Sequence, residues 1–281
     1  MQKLTQSYIS EEAKRLGISP TKKLGQNFMI DEGTAQKIVK LADLKSDSKI
    51  LEIGPGFGSL TQHLVNESSG YLGIEYDKKL FEWISEKYKN ANAHFLHKDA
   101  MKLEKNDFQN FEFDSLVANL PYNISTPLLI TYFQNFENLK VATVLVQKEV
   151  ADRILANPGG KHYGIPTAKL KLLTLTKKLL SVPPGVFWPR PKVDSTLIKL
   201  VRKDKPLENM QFTFKIIDAA FAHRRKTLAS SLAIALKSDS ELNIKKENIL
   251  SALSEIGKES NVRAEELSPG EFDVFAKALL C

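Results

Sequence analysis

Ile50-Leu51-Glu52-Ile53-Gly54-Pro55-Gly56-Phe57-Gly58-Ser59-Leu60-Thr61 is the stretch that decides the fold. An apolar run, interrupted only by Glu52, stops at glycines spaced by single residues, and the amphipathic segment Leu60 to Val65 follows at once. Glycines at a tight strand-to-helix turn let a ligand approach the backbone closely. Glu75 lies 21 residues beyond Gly54, at the end of the next apolar run, where a carboxylate can bind ribose hydroxyls. Together they predict a nucleoside-cofactor site. A dinucleotide fingerprint would want glycine at position 59, and serine stands there.

Outward from this turn the pattern repeats. Ile50 to Ile53, Tyr71 to Ile74, His94 to Leu96, Ser115 to Ala118 and Val141 to Val146 read as strands. Leu60 to Val65, Leu80 to Tyr88, Pro127 to Phe136 and Val150 to Leu155 alternate with them as helices. The alternation predicts an α/β domain with a mostly parallel sheet covered on both faces. Ser195 to Val201 reads as a late strand, antiparallel at or near the edge. Residues 1–30 are polar and read as an N-terminal arm, after which Asp31 caps a helix carrying Ala35, Ile38 and Val39. Beyond Arg202-Lys203-Asp204-Lys205-Pro206 only helical periods follow: Phe214-Ile217-Phe221, Leu228 to Leu236, Ile249-Leu250-Leu253 and Phe272-Phe275-Leu279, the last begun by Ser268-Pro269. Two domains are expected, 1–204 and a small all-helical one at 205–281.

The fourth strand ends in Asn119-Leu120-Pro121-Tyr122, at the carboxyl edge where open parallel sheets bind ligands. An aromatic amine is a poor nucleophile because its lone pair is delocalised into the ring. An acceptor pair, the Asn119 side-chain oxygen and the Leu120 carbonyl, can hold its two hydrogens and aim the nitrogen, with Tyr122 stacked on the base. Pro121 keeps Leu120 out of helical geometry. The spacing Gly54, Gly56, Gly58 after an acidic residue resembles the S-adenosylmethionine pattern of class I methyltransferases. Asp99-Ala100-Met101, after the third strand, adds an acceptor for the adenine amine of such a cofactor.

The chain has 281 residues, 40 Lys and Arg against 33 Asp and Glu, and a net charge of +7. That moderate excess suits a polyanionic partner. Between Arg153 and Val193 no acidic residue occurs, while Arg153, Lys161, Lys169, Lys171, Lys177, Lys178, Arg190 and Lys192 are basic, a pattern expected to track a phosphate backbone. Within it, Val182-Pro183-Pro184-Gly185-Val186-Phe187-Trp188-Pro189 is a proline-stiffened loop whose Phe187 or Trp188 can close on a base opposite Tyr122. His223-Arg224-Arg225-Lys226 forms a second basic cluster. The single cysteine, Cys281, argues against a disulfide framework and for a reducing cytoplasm. Charged residues interrupt the apolar ones at the start, no run approaches a membrane span, and five histidines without ligand spacing predict no metal.

These motifs together resemble the KsgA-type ribosomal RNA adenine N6,N6-dimethyltransferases. The resemblance rests on Lys22-Lys23-Leu24-Gly25-Gln26-Asn27-Phe28, Glu52 to Gly56, Asn119 to Tyr122, Val146-Gln147-Lys148-Glu149-Val150-Ala151, Pro189-Arg190-Pro191-Lys192-Val193-Asp194-Ser195, Phe221 to Leu228 and Arg263 to Ser268, nearly the whole chain. It implies a Rossmann-like class I fold with a helical rRNA-binding domain. It also implies S-adenosylmethionine-dependent dimethylation of two adjacent adenosines in the hairpin near the 3′ end of 16S rRNA, on a late small-subunit particle; no DNA or membrane partner is expected, and nothing in the sequence requires more than a cytoplasmic monomer. In the family the positions matching Asn27 and Met29 line the cofactor site with those matching Gly54, Glu75, Asp99 and Asn119, and the neighbouring Gln26, Gly56 and Ala100 are expected in the same set. Lys22, Lys23, Arg153, Lys161, Arg190, Lys192, Arg224, Arg225 and Lys226 are expected to meet RNA. A large-subunit rRNA methyltransferase of the antibiotic-resistance type is the nearest rival, and the Pro189 to Ser195 signature weighs against it. A DNA adenine methyltransferase would more usually carry proline at Leu120. A ribosome-assembly factor acting mainly by binding is the alternative of a different class.

Overall fold

The computed structural model describes residues 3–20, 25–108, 111–237 and 244–280. Its elements in chain order begin with α1 (Gln6–Arg15), β1 (Phe28–Met29), α2 (Glu32–Ala42), β2 (Lys49–Ile53), α3 (Thr61–Leu64), β3 (Gly70–Glu75), α4 (Lys78–Lys87), β4 (Ala93–His97), β5 (Ser115–Asn119) and α5 (Ser125–Asn135). There follow β6 (Val141–Gln147), α6 (Lys148–Leu155), α7 (Ile165–Leu173), β7 (Thr174–Val182), β8 (Phe187–Trp188), β9 (Ser195–Arg202), α8 (Met210–Phe221), α9 (Leu228–Ala235), α10 (Lys246–Glu255) and α11 (Pro269–Ala278).

One compact unit comprises Met1–Ala151 and Thr176–Arg202. Its seven-stranded sheet runs β4-β3-β2-β5-β6-β9-β7. The pairs β2 with β3, β3 with β4, β2 with β5 and β5 with β6 are parallel, and β9 is antiparallel to β6 with Ser195 opposite Gln147. Every residue from Ser115 to Ala118 and from Ala142 to Val146 is buried, so side chains on both faces are covered, as a mostly parallel sheet flanked by helices requires. The chain leaves β2 for β3 on one side and returns through β5 on the other. This reversal opens a crevice outside the carboxyl ends of β2 and β5.

Local chemistry explains the flanking helices. Asp31 caps α2 by accepting from the Thr34 N–H at 2.7 Å, and Ala35, Ile38, Val39 and Ala42 form its buried stripe. Asp77 caps α4 through the N–H groups of Lys79 and Leu80. At the other end of the sheet, the Arg202 guanidinium donates to the carbonyls of Phe133, Phe136 and Leu139, satisfying the exposed end of α5.

Three expectations are corrected here. The arm at residues 1–30 contains α1, whose Ile9 and Ala13 pack with Leu4, Ile18, Phe28, Phe57 and Leu80. Its apolar stripe is only two residues wide on a polar helix, too thin to be visible without its partners. Second, β7 lies within the basic stretch and is the outermost strand, its charged Lys177 and Lys178 being suited to an unpaired edge.

Third, a single boundary at 204/205 does not describe the second unit, which comprises Asp152–Leu175 as well as Lys203–Cys281. Tyr163 shows why: it is fully buried, donates to the Leu267 carbonyl at 2.8 Å, and has its ring 6.1 Å from that of Phe221. The Lys203 N–H donates to the Leu173 carbonyl at 2.9 Å, while the Gly159 N–H reaches the Glu265 carbonyl at 2.6 Å. Without 152–175 the helices α8 to α11 would lack one wall of their core. Ser268 caps α11 with Pro269 in its first turn and Glu271 reaching back to the Ser268 N–H at 2.7 Å.

Candidate active site

The carboxyl ends of β2, β3, β4 and β5 and the segment 25–29 enclose a cavity of about 280 Å³. All nine positions expected to contact a cofactor line it: Gln26, Asn27 and Met29 from the arm, Gly54 and Gly56 after β2, Glu75 at the end of β3, Asp99 and Ala100 after β4, and Asn119 at the end of β5. Topology brings them together, since four strand ends meet at the crevice beside β2.

The glycine turn is conformationally demanding. Gly56 has φ 55°, and a Cβ there would lie 3.0 Å from the Phe28 ring, so position 56 takes neither another backbone shape nor a side chain without displacement. The Phe28 ring packs edge-on against Phe57 at 4.8 Å, which itself meets Trp83 at 5.2 Å, making an aromatic floor for the turn. Glu75 is buried, and its two carboxylate oxygens accept from the N–H of Gly56 at 3.0 Å and of Asp77 at 2.9 Å. Burial raises the affinity of Glu75 for a proton, opposed by those backbone donors.

Glu52 is also buried against the cavity. Its Oε2 accepts from Tyr71 Oη at 2.5 Å and Thr61 Oγ1 at 2.8 Å, yet burial prevails and lifts its pKa to about 7, with Glu75 adding in the same direction. A carboxyl that binds its proton more tightly when folded makes the folded state less stable as pH rises from the ordinary 4.5 towards 7. The variant Glu52→Gln is therefore expected to gain stability relative to the wild type across that interval, by on the order of 3 kcal/mol or less. Thermal melts of both proteins from pH 4.5 to 7.5 check this, and a pH-independent difference would refute it.

Asn119 holds the most informative geometry. Its Nδ2 donates to the Asn27 carbonyl at 3.1 Å, which fixes which way the amide faces because only the amino end can donate. Its Oδ1 is buried and has no protein partner. A buried acceptor without a donor is costly, and at a cavity wall it signals a ligand group. Leu120 anchors the turn through its N–H to the Leu145 carbonyl at 3.1 Å and a buried side chain, which sets the direction of its own carbonyl. Tyr122 is half-buried, and its hydroxyl lies 3.1 Å from Ser195 Oγ. Burial raises its phenol pKa and the serine opposes that shift, so the ring stays neutral.

Phe187 departs from expectation. It is 2% exposed and packed in the core with Met29, Leu60, Val182 and Leu197, and β8 pairs with β1 so that Phe187 stands opposite Met29. Its ring presents no open face in this structure. Trp188 does not replace it, because its ring lies over that of Phe28 at 6.4 Å and 25°. Both aromatics are drawn into apolar clusters flanking the β1–β8 ribbon, a pairing of two-residue strands that leaves no readable periodicity.

The basic stretch is divided between the units. Arg190 and Lys192 are exposed in the sheet unit, whereas Arg153 and Lys161 are exposed in the helical unit. Lys169 pairs with Asp218 at 2.7 Å, and Lys171 donates to the carbonyls of Leu155 and Ala156, so these two are structural. Arg224 is likewise engaged, with Glu265 at 2.9 Å and the carbonyls of Lys161 and Tyr163, while Arg225 and Lys226 are exposed. Lys22 and Lys23 lie outside the described residues.

Two residues escaped the sequence reading. Ser59 donates to the Met29 carbonyl at 2.6 Å, tying the glycine turn to the arm, and nothing in the sequence signals this. Asp77 accepts from Gln26 Nε2 at 3.3 Å while capping α4, and its place before the amphipathic run Leu80 to Tyr88 was a readable cap signal.

The chain can now be set beside known proteins. The family described as ribosomal RNA adenine dimethylase matches residues 19–266. A ribosomal RNA small subunit methyltransferase A of Corynebacterium glutamicum (strain R) is 42% identical, covering 79% of this chain and 78% of its own. Its namesake in Bifidobacterium longum (strain DJO10A) is 37% identical over 94% and 89%. Among solved structures, a dimethyladenosine transferase from Plasmodium falciparum superposes with a TM-score of 0.72 at 27% identity, covering 88% of this chain and 95% of that one. The 23S rRNA methyltransferase ErmE shares the fold, with a TM-score of 0.67 at 23% identity and 91% and 100% coverage. A class I methyltransferase sheet, a cavity at its topological switch and an unpartnered acceptor on its wall thus coincide with a match across most of the sequence, and the chain belongs to the ribosomal RNA adenine dimethylase family.

Proposed function

We propose that this protein dimethylates the N6 amines of two adjacent adenosines in the hairpin loop near the 3′ end of small-subunit (16S) rRNA, as a cytoplasmic monomer acting late in subunit assembly. The observation that carries the reading is the buried Oδ1 of Asn119, an acceptor held in place by the Asn27 carbonyl and still lacking a donor. An exocyclic amine supplies such a donor.

S-adenosylmethionine, when bound, supplies a methyl group on a positively charged sulfur. The cavity suits a cationic nucleoside: Glu75, Asp77 and Asp99 line it, while Lys98, the one cation among its described lining residues, is paired with Asp107. Glu75 is placed to take ribose hydroxyls, Asp99 the adenine amine, and the arm residues Gln26, Asn27 and Met29 with Gly54, Gly56 and Ala100 shape the remaining walls. In the first transfer Asn119 Oδ1 and the Leu120 carbonyl accept the two N6 hydrogens, and in the second one of them accepts the single hydrogen left, restraining the nitrogen and turning its lone pair out of the ring plane. Tyr122 supports the base. Each transfer releases one proton from the nitrogen to water, since an amide oxygen is too weak a base to keep it.

Exposed Arg190 and Lys192 in the sheet unit, and Arg153, Lys161, Arg225 and Lys226 in the helical unit, contact rRNA phosphates in this reading. A hairpin loop suits the enzyme because bases there are extruded at less cost than from a duplex. The test is to incubate the protein with labelled S-adenosylmethionine and either unmodified small subunits or naked large-subunit rRNA. Label as dimethyladenosine in the small subunit is expected. Label confined to large-subunit rRNA would reassign the substrate, and tight subunit binding without any label would favour an assembly role.

A further inference from the structure

Tyr122 is the one ring at the catalytic turn that is only half-buried, and with Phe187 in the core and Trp188 over Phe28 the base is supported on a single face. The last torsion of a tyrosine turns the ring about an axis through its own hydroxyl oxygen, so a bond to that oxygen restrains the swing of the whole side chain about its first torsion. One-sided stacking needs something to keep the ring from swinging away from the turn. The structure places one restraint at the far end of the ring, where the Tyr122 hydroxyl lies 3.1 Å from Ser195 Oγ.

Ser195 is suited to that task. It is the first residue of β9, is fully buried, and stands opposite Gln147 in the antiparallel ladder with β6. The carbonyl before it, on Asp194, accepts from the Lys148 N–H at 2.9 Å, so its backbone is fixed on both sides. Directly upstream runs the loop 189–194, which carries exposed Arg190 and Lys192. The serine thus joins a basic loop to the ring that receives the base.

We infer that Ser195 is a positioning residue for methyl transfer, anchoring the far end of the Tyr122 ring through its hydroxyl so that the ring stays in one place on the turn and a base can stack on one face alone. This rests on the adenine-methylating reading given above. The hydroxyls matter only as a pair, so removing either removes the restraint.

The test is a double-mutant cycle on the full chain, measuring single-turnover methyl transfer to unmodified small subunits at saturating S-adenosylmethionine. Ser195→Ala and Tyr122→Phe are each expected to slow transfer about fivefold to tenfold, the size of one hydrogen bond to a part-buried neutral group. The double variant is expected to be no slower than the slower single one. Affinity for S-adenosylmethionine, measured by titration, is expected to be unchanged in all three. Rates that multiply in the double variant, or a wild-type rate for Ser195→Ala, would overturn the inference while leaving the adenine reading intact. If Ser195→Ala fails to bind cofactor and so has not folded, Tyr122→Phe decides: a wild-type rate there overturns the proposal. A wild-type chain that transfers no methyl to rRNA adenine overturns both readings.

Discussion

Asn119→Ala is expected to lower the rate of methyl transfer about 100- to 1,000-fold while S-adenosylmethionine still binds within a few-fold of the wild-type affinity. The amide oxygen is buried without a protein partner and the amide nitrogen is anchored on the Asn27 carbonyl, which leaves the oxygen for the substrate amine in the proposed reaction. Its loss removes an acceptor that strengthens as charge develops on the attacking nitrogen, an effect on the transition state more than on the ground state. Truncation also strands the Asn27 carbonyl, a cost of about 1–3 kcal/mol to the fold, so a melt belongs beside the assay. Asn119→Asp separates the two roles, because a carboxylate keeps an acceptor but cannot donate to Asn27. It is expected to fall between wild type and alanine. A fully active alanine variant, assayed on unmodified subunits, would sink the amine-gripping account.

Glu75→Ala is expected to weaken S-adenosylmethionine binding about 10- to 100-fold, equivalent to about 1.5–3 kcal/mol, the range for hydrogen bonds to a charged group. The carboxylate fastens the Gly56 and Asp77 amides and lines the cavity, and the ribose role proposed for it would add a second task at the same place. Glu75→Gln keeps one acceptor oxygen but must turn its amino end towards one of those backbone donors, so it is expected to rescue little. Titration calorimetry with S-adenosylmethionine checks both variants. Unchanged affinity in the alanine variant would contradict the ribose role, and a loss of transfer rate with intact affinity would move Glu75 into the catalytic step.

The reading of the helical unit changes how truncations of this protein should be designed. A cut at 204/205 removes α8 to α11 but leaves α7 and Tyr163 without the core they complete, since Tyr163 bonds to Leu267 and packs beside Phe221. The apolar faces so exposed would favour aggregation.

Much of the fold was legible because parallel strands buried on both faces are written as short apolar runs. Six strands, the five parallel ones and the antiparallel β9, fall within a residue or two of their sequence-derived limits. Caps at Asp31 and Ser268 were legible for the same local reason, a side-chain acceptor preceding a helical period. The cavity residues were legible as motifs because the chemistry they serve fixes residue type and spacing together. What stayed hidden depends on partners distant in sequence. α1 packs on Phe57 and Leu80, β7 takes its place beside β9, and 152–175 completes its core with α8 and α11.

Sequence by itself therefore determined the class of sheet, the glycine turn and the Asn119-Leu120-Pro121-Tyr122 turn for which we propose the amine grip, since each is encoded in neighbouring residues. Only the tertiary structure decided that the Asn119 oxygen is the unpartnered one, because that depends on a carbonyl 92 residues away. It also decided that Phe187 faces the core, where apolar burial is worth more than an exposed ring, and that the Ser195 hydroxyl, 73 residues away, lies 3.1 Å from that of Tyr122. Periodicity reports what a residue's neighbours along the chain require, and contacts across the fold are settled only when the sheet order brings strand ends to one crevice.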